Sequence, residues 1–247
     1  MTTTDRTCLI TGSSRGIGRG IAEHLGNDDL NVVVNYNASE GPAHEVVETI
    51  EEAGGSAIAV QADVTDREEV DEMRRVVHDA FGPIDVLVNN AGVTEDTRFI
   101  HMSREEWDRV MNVNLGGTFN CTQAFFEDIA NAEVGRLINI SSIVGKQGNF
   151  GQANYATAKS GMFGFTRTIA LELASSGSTA NCVAPGFTRT DMLDQVNEDI
   201  QETIRQKIPL KRFATIDDVA GVVGFIASEH SAYVTGEIID VNGGMDL

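Results

Sequence analysis

Residues 7–18 read TCLITGSSRGIG. TCLIT at 7–11 is a short apolar run that stops at a glycine, the pattern of a buried strand. From 16 to 25 the chain reads GIGRGIAEHL, with apolar residues at helical spacing. Strand, glycine turn and helix therefore follow one another without a gap. Glycines in such a turn allow a tight bend and a close approach of backbone to a diphosphate. The helix that follows offers free N–H groups and the positive end of its dipole. A glycine-rich turn alone is commonplace, but one between a strand and a helix is a dinucleotide fingerprint. Its candidate contacts are Gly12, Ser14, Arg15, Gly16, Ile17 and Gly18.

The rest of the chain repeats the pattern. Further strands are expected at 31–36, 56–64, 84–90, 136–142, 178–185 and 236–242. Helices are expected at 39–53, 66–81, 103–130, 152–175 and 215–228, and a lid with short helices at 187–212. Alternation of this kind implies parallel strands, right-handed crossovers and helices on both faces. The expected fold is a doubly wound α/β domain with a seven-stranded parallel sheet. No linker or repeat divides the chain, so 1–247 is expected to form one domain.

Composition narrows the function. The 247 residues carry 18 Lys+Arg against 37 Asp+Glu, a formal charge of −19. Nucleic acid would be repelled by such a chain. No run of about 20 apolar residues exists to cross a membrane, and no secretory signal is seen at the start. Cys8, Cys121 and Cys182 are few and far apart, which suits neither a disulfide framework nor a metal knuckle. A reducing cytoplasm is the expected location. Only four of the basic residues are lysine: Lys146, Lys159, Lys207 and Lys211. Acidic residues gather at Glu45, Glu48, Glu51, Glu52 and again at Asp66, Glu68, Glu69, Asp71, Glu72. That pattern reads as adaptation to molar salt, where charges are screened within about 3 Å. An ordinary acidic enzyme is the alternative.

Two further features concern chemistry. The acidic residue that commonly holds a ribose at the end of strand two is missing; Asn35, Tyr36 and Asn37 stand there. With Arg15 in the turn, this favours NADPH over NADH. Tyr155 and Lys159 lie at i and i+4, on one helix face. An ammonium beside a phenol is expected to lower the phenol's pKa and ready it as a proton donor. Ser142 is expected to end strand five, at the carboxyl edge of the sheet where ligands bind.

In order, the chain carries TGSSRGIG at 11–18, DV at 63–64, NNAG at 89–92, Asn114 in NVNLGG, SS at 141–142, YATAK at 155–159 and PG at 185–186. Over essentially its whole length it resembles the short-chain dehydrogenase/reductases, which implies a Rossmann fold. The resemblance implies a catalytic tetrad of Asn114, Ser142, Tyr155 and Lys159, with Asn114 holding a water of the proton relay and no metal. It implies Asp63 and Val64 beside the adenine, although Asp63 could equally cap a helix starting at Thr65-Asp66. It places Asn37, Asn90, Ala91 and Gly92 along the cofactor, and Pro185, Gly186 and Thr188 near the nicotinamide.

The closest subgroup resemblance is to 3-oxoacyl thioester reductases, and two branches compete. Asn149, Phe150 and Gln152 look like residues that border a short acyl group in acetoacetyl-CoA reductases of polyhydroxyalkanoate synthesis. Glu127 and Leu171 stand where carrier-protein reductases often present basic residues. The expected reaction is therefore reduction of acetoacetyl-CoA to the (R)-3-hydroxyacyl thioester. Reduction on acyl carrier protein is the alternative, and an unrelated ketone or alcohol a further one. Arg189, Lys207, Lys211 and Arg212 are candidate cations for coenzyme A phosphates, or could equally balance local acids. A homotetramer is implied, joined through the long helices at 103–130 and 152–175 and the C-terminal segment.

Overall fold

In a computed structural model, the residues described are 6–27, 30–190, 193 and 197–246. Seven strands form one sheet: β1 Thr7–Ile10, β2 Asn31–Tyr36, β3 Ser56–Gln61, β4 Val86–Asn89, β5 Arg136–Ile140, β6 Thr179–Pro185 and β7 Ile238–Val241. Every neighbouring pair is parallel, in the order β3-β2-β1-β4-β5-β6-β7. After β3 the chain crosses to the other side of β1 to begin β4. The crevice at such a reversal is where an open α/β sheet binds its ligand.

The period of two along each strand splits the core into two layers. On β1, Cys8 and Ile10 face α1 (Gly16–Asn27), α2 (Glu40–Glu52) and the later helix Ile216–Ala227. Leu9 faces the opposite layer, built on α3 (Arg67–Phe81), Gly117–Asn131 and Ala153–Leu173. β1 is buried throughout because helices cover both its faces. Cys8, Cys121 and Cys182 are all buried and unpaired. Among the described residues no helix is long and apolar enough to cross a membrane.

The helix expected over 103–130 is broken. It consists of α4 (Arg104–Met111), a π turn (Asn112–Gly116) and α5 (Gly117–Asn131). Asn114 donates its side-chain amide to the carbonyls of Val110 and Val93, each at 2.9 Å. The widened turn thus carries a buried side chain that bonds its own helix and the loop after β4, and such turns gather at functional sites. Gly117 follows where a Cβ would sit 2.5 Å from Val64 Cγ2, so only glycine lets α5 close on the end of the sheet.

Strand ends are also shorter than expected. β3 stops at Gln61 and not at 64, because Asp63 Oδ1 takes both the N–H (2.8 Å) and the hydroxyl (2.7 Å) of Thr65. β4 spans Val86–Asn89 within the expected 84–90, and β7 begins at Ile238, after a left-handed Gly236. β5 stops at Ile140, so Ser142 lies beyond the strand. Backbone bonds from Ser141 to Val183 and from Ile143 to Pro185 still tie that segment to β6. A short helix α6 (Val144–Gln147) leads to α7 (Ala153–Leu173). Within the lid, the described part contains α8 (Glu198–Lys207) and a small apolar cluster of Leu193, Ile208 and Phe213. The positions 191, 192 and 194–196 of the expected lid lie outside the described residues. α9 (Ile216–Ala227) then returns the chain to β7, opened by a capping box of Thr215 and Asp218.

Candidate active site

The glycine turn opens directly from β1 into α1, as expected. Gly12 and Gly16 hold left-handed backbone, φ +61° and +59°, which glycine adopts at little cost. A Cβ at Gly12 would stand 2.9 Å from Ala91 Cα, and one at Gly18 would stand 2.4 Å from Asn90 Nδ2. The turn is therefore pressed against the NNAG segment after β4. Asn90 secures it by donating to the carbonyls of Thr11 and Gly12 at 2.9 and 3.1 Å. Thr11 Oγ1 accepts in return from the N–H groups of Asn90 and Ala91, both at 3.0 Å.

Asn35 was not among the expected site residues, yet it holds the turn from the other side. Its Oδ1 accepts from Gly12 N–H at 3.1 Å, while its Nδ2 donates to the carbonyls of Val60 and Ala62. Asn35 is buried, so the strand end that meets solvent is Asn37. Asn37 donates to Asp63 Oδ2 at 2.9 Å. Burial pushes the Asp63 carboxyl up, but the bonds from Thr65 and Asn37 outweigh it and hold it below its ordinary value. Asp63 does not cap α3; Asp66 does, accepting from the N–H groups of Glu68 and Glu69. Arg15 is exposed at the start of α1. The free helix terminus, glycine cradle and exposed guanidinium fit a phosphorylated dinucleotide.

The tetrad residues come together from three elements. Tyr155 and Lys159 lie on α7, Ser142 on the loop after β5, and Asn114 on the π turn. Lys159 Nζ stands 5.6 Å from the centre of the Tyr155 ring and donates to the Ile140 carbonyl at 2.8 Å. Ser142 Oγ accepts from Val144 N–H at 3.1 Å and is also hydrogen-bonded to the Tyr155 phenol. Asn114 is fully buried and its Oδ1 has no partner. The missing side chain of Gly92 marks where that oxygen looks: a Cβ there would be 2.5 Å from Asn114 Oδ1 and 3.5 Å from Lys159 Nζ. An orphaned buried acceptor beside an ammonium suits a bridging water.

Contrary to the expectation from spacing, the phenol of Tyr155 is not lowered. Burial pushes it up, the hydrogen bond with Ser142 pulls it down, and the charge of Asp96 pushes it up again, for a net rise. Burial also acts on Lys159, whose ammonium is pushed down to about 8. The i, i+4 spacing was right, but it places the ammonium over the ring and buries both groups, which spacing alone does not reveal.

Comparison with known proteins accords with this geometry. The family described as enoyl-(acyl carrier protein) reductase, a division of the short-chain dehydrogenases, matches residues 12–246. The chain is a short-chain dehydrogenase/reductase. It is 47% identical over 241 residues to the 3-oxoacyl-(acyl-carrier-protein) reductase FabG of Staphylococcus epidermidis, covering 98% of this chain and 99% of that one. It is 48% identical over 243 residues to a 3-oxoacyl-(acyl-carrier-protein) reductase of Synechocystis, covering 98% and 97%. Among solved structures, a protein assigned as a short-chain alcohol dehydrogenase from Sinorhizobium meliloti 1021 superposes with a TM-score of 0.92. The two are 36% identical, with 97% and 96% of the chains covered.

The residues expected to border the substrate form a chain of bonds. Asn149 Nδ2 donates to Gln152 Oε1 at 3.0 Å, and Gln152 Nε2 donates to both oxygens of Asp96 at 2.9 and 2.8 Å. Phe150 is 80% exposed, with the Arg98 guanidinium 5.6 Å above its ring. Asp96 and Arg98 were not anticipated, because a loop beyond strand four has no periodicity to point at them. Asn154 was also missed. It is buried, accepts from Tyr155 N–H, and donates to the carbonyls of Glu95 and Glu106, which seats α7 against α4.

Pro185 ends β6, and Gly186 is pressed against Asn242, where a Cβ would lie 2.9 Å from the Asn242 backbone. Thr188 is buried and bridges to Ala214. Of the four lid cations, Arg212 is committed to Asp218 and Lys211 donates to the Gln206 carbonyl. Arg212 thus balances a local acid, the other role open to these cations. Arg189 and Lys207 remain exposed. Among the described residues no group of three or more His, Cys, Asp or Glu side chains is placed to hold a metal ion.

Proposed function

We propose that this reductase transfers hydride from NADPH to the β-carbonyl of a 3-oxoacyl thioester, and that the thioester is borne on acyl carrier protein. The observation that carries the reading is near-complete, 47–48% identity to two carrier-protein reductases, joined to an assembled tetrad. This reverses the order expected from sequence, in which acetoacetyl-CoA came first. Against the carrier protein stands the lack of a basic residue at Glu127 and Leu171. Both are exposed, but Arg167 is exposed one helical turn before Leu171, so a cation does stand on that face. Acetoacetyl-CoA remains the second reading, favoured by Phe150 at the mouth of the site.

The residues assign the steps. NADPH supplies the hydride when bound. Ser142, its oxygen fixed by Val144 N–H, turns its own hydrogen to the substrate carbonyl and orients it. Tyr155 is protonated throughout the neutral range because its pKa is raised, so it delivers a proton to the developing alkoxide. Lys159 then stabilises the phenolate across the ring, and Asn114 Oδ1 anchors a water that returns the proton. The preference for NADPH is supported by Arg15 and by amides at positions 35 and 37 where a carboxylate would repel a phosphate. A homotetramer fits the exposed Phe119 on α5, and light scattering measures it.

The test is NADPH oxidation with acetoacetyl-carrier and acetoacetyl-CoA in one buffer. The carrier-linked substrate is expected to show the higher kcat/KM, and the opposite order would establish the coenzyme A reading. Tyr155→Phe should lose ~10²–10⁴ in kcat with NADPH binding retained. Near-normal turnover in that variant would remove the mechanism.

A further inference from the structure

Cations are scarce in this chain, and most are spent. At least nine of the 18 arginines and lysines sit in ion pairs with carboxylates. Arg6 and Arg136 donate to backbone carbonyls. Arg98 does neither. Among the described residues it has no carboxylate partner, and its guanidinium rests over the ring of Phe150. The carboxylates nearest in sequence are committed elsewhere: Glu95 to Arg109 at 2.6 Å, and Asp96 to Gln152. An unpaired arginine on a surface this negative retains its full attraction for an anion.

The surroundings of Arg98 are apolar and lead inward. Phe99 and Ile100 are 76% and 80% exposed, as is Phe150. Thr97 N–H donates to the Gly151 carbonyl at 2.8 Å, which joins the two segments side by side. Gln152 follows at once, bonded to Asp96, and Tyr155 begins three residues later. A surface with a free guanidinium and exposed apolar side chains therefore adjoins the segment that runs on through Gln152 to Tyr155. A ligand matching it has an anionic group at one end, an apolar stretch, and a reactive carbonyl at the other.

Resting on the thioester reading above, we propose that Arg98, Phe99 and Phe150 seat the phosphopantetheine arm of the substrate. The guanidinium takes the arm's phosphate, and the rings cover its dimethyl and methylene groups. The phosphate is shared by coenzyme A and acyl carrier protein, so the site serves either thioester.

Calorimetric titration of phosphopantetheine and of pantetheine into the NADP-loaded full-length protein reads the contact without turnover. Wild type should bind the phosphorylated form about tenfold tighter, the size of one charge-assisted contact. Arg98→Ala should bring the ratio to about one, and Arg98→Lys should keep most of it. In steady state, Arg98→Ala should raise KM for acetoacetyl thioesters about tenfold by the same contact. Its effect on kcat/KM for acetoacetyl-N-acetylcysteamine, which lacks the phosphate, should be much smaller than on the full thioesters. A response confined to the coenzyme A or to the carrier-linked thioester identifies which phosphate is read. Equal affinity for the two arms in wild type, no binding of either, or a change in oligomeric mass of Arg98→Ala would overturn the proposal. Failure of wild type to turn over any acetoacetyl thioester would instead overturn the reductase reading, and the titration would still decide the arm.

Discussion

Lys159 holds its ammonium 5.6 Å from the centre of the Tyr155 ring and ties it to the Ile140 carbonyl at 2.8 Å. Burial presses that ammonium down to about 8 from the ordinary 10.5. Between those values the folded chain has shed a proton that the unfolded chain keeps. Stability should therefore rise with pH from about 8 to 10.5, and this contribution is absent below about 8. Lys159→Met should flatten that part of the Tm profile, measured without cofactor. Activity should move the other way. Because kcat/KM reports the free enzyme, its value for NADPH should fall as pH rises through about 8. Lys159→Arg should displace the fall to higher pH. A wild-type profile flat to pH 10 would show that the charge on Lys159 is not required.

Asp96 supports a second prediction, since it both clamps Gln152 and faces the phenol. Asp96→Leu leaves the Gln152 amide without its acceptor and should raise KM for the thioester roughly tenfold, about the cost of an unmet buried donor. The effect on kcat should be smaller. Asp96→Asn removes the charge and keeps one acceptor oxygen. It relieves part of the upward push on Tyr155, after the larger part due to burial. The rising limb of the reverse reaction, alcohol oxidation, should then move to lower pH, because that direction needs the phenolate. A KM and pH profile identical to wild type in both variants would reduce Asp96 to a loop residue.

Arg15 is exposed at the start of α1, and positions 35–37 offer no carboxylate. Arg15→Ala should raise KM for NADPH by about tenfold, the loss of one charge-assisted contact. KM for NADH should barely change. Equal effects on both cofactors would mean that Arg15 shapes the turn and does not read the extra phosphate.

Much of this was legible in sequence because the signals are local. Strand, turn and helix alternate at short range, and Gly12 and Gly16 announce the turn they occupy. The four residues proposed for catalysis each sit in a short motif, which is why the sequence points to them. What escaped depends on contacts between distant segments. The π turn at Asn112–Gly116 leaves no period to detect, and its Asn114 bonds to Val93, 21 residues away. Asn35 sits in an ordinary strand pattern, yet its side chain holds Gly12. Sequence left Arg212 open between a coenzyme A contact and a local ion pair, and Asp218, six residues on, holds it. The direction of the Tyr155 shift depended on burial, which an i, i+4 spacing does not measure.

Salt dependence follows from where the acids lie. Glu45, Glu48, Glu51 and Glu52 are all exposed on α2, and no basic residue occupies its last turn. Of these, Glu45 reaches Arg19 at 3.8 Å. Glu48 and Glu52 repel at i, i+4, and Glu51 and Glu52 sit at the negative end of the helix dipole. These local penalties add to the repulsion of a chain charged −19. At 1 M salt the screening length is about 3 Å, shorter than the spacing of neighbouring side chains on a helix. Melting temperature should rise from ~0.1 M to above 1 M KCl on this ground. Glu52→Lys separates charge from other effects of salt. It removes one repulsion and complements the dipole, so it should stabilise by about 0.5–1 kcal/mol at low salt and by much less at 1 M. Equal stabilisation at both salt concentrations would show that the substitution acts through helix propensity, and a wild-type Tm unmoved by salt would remove the halophilic reading of the acidic surface.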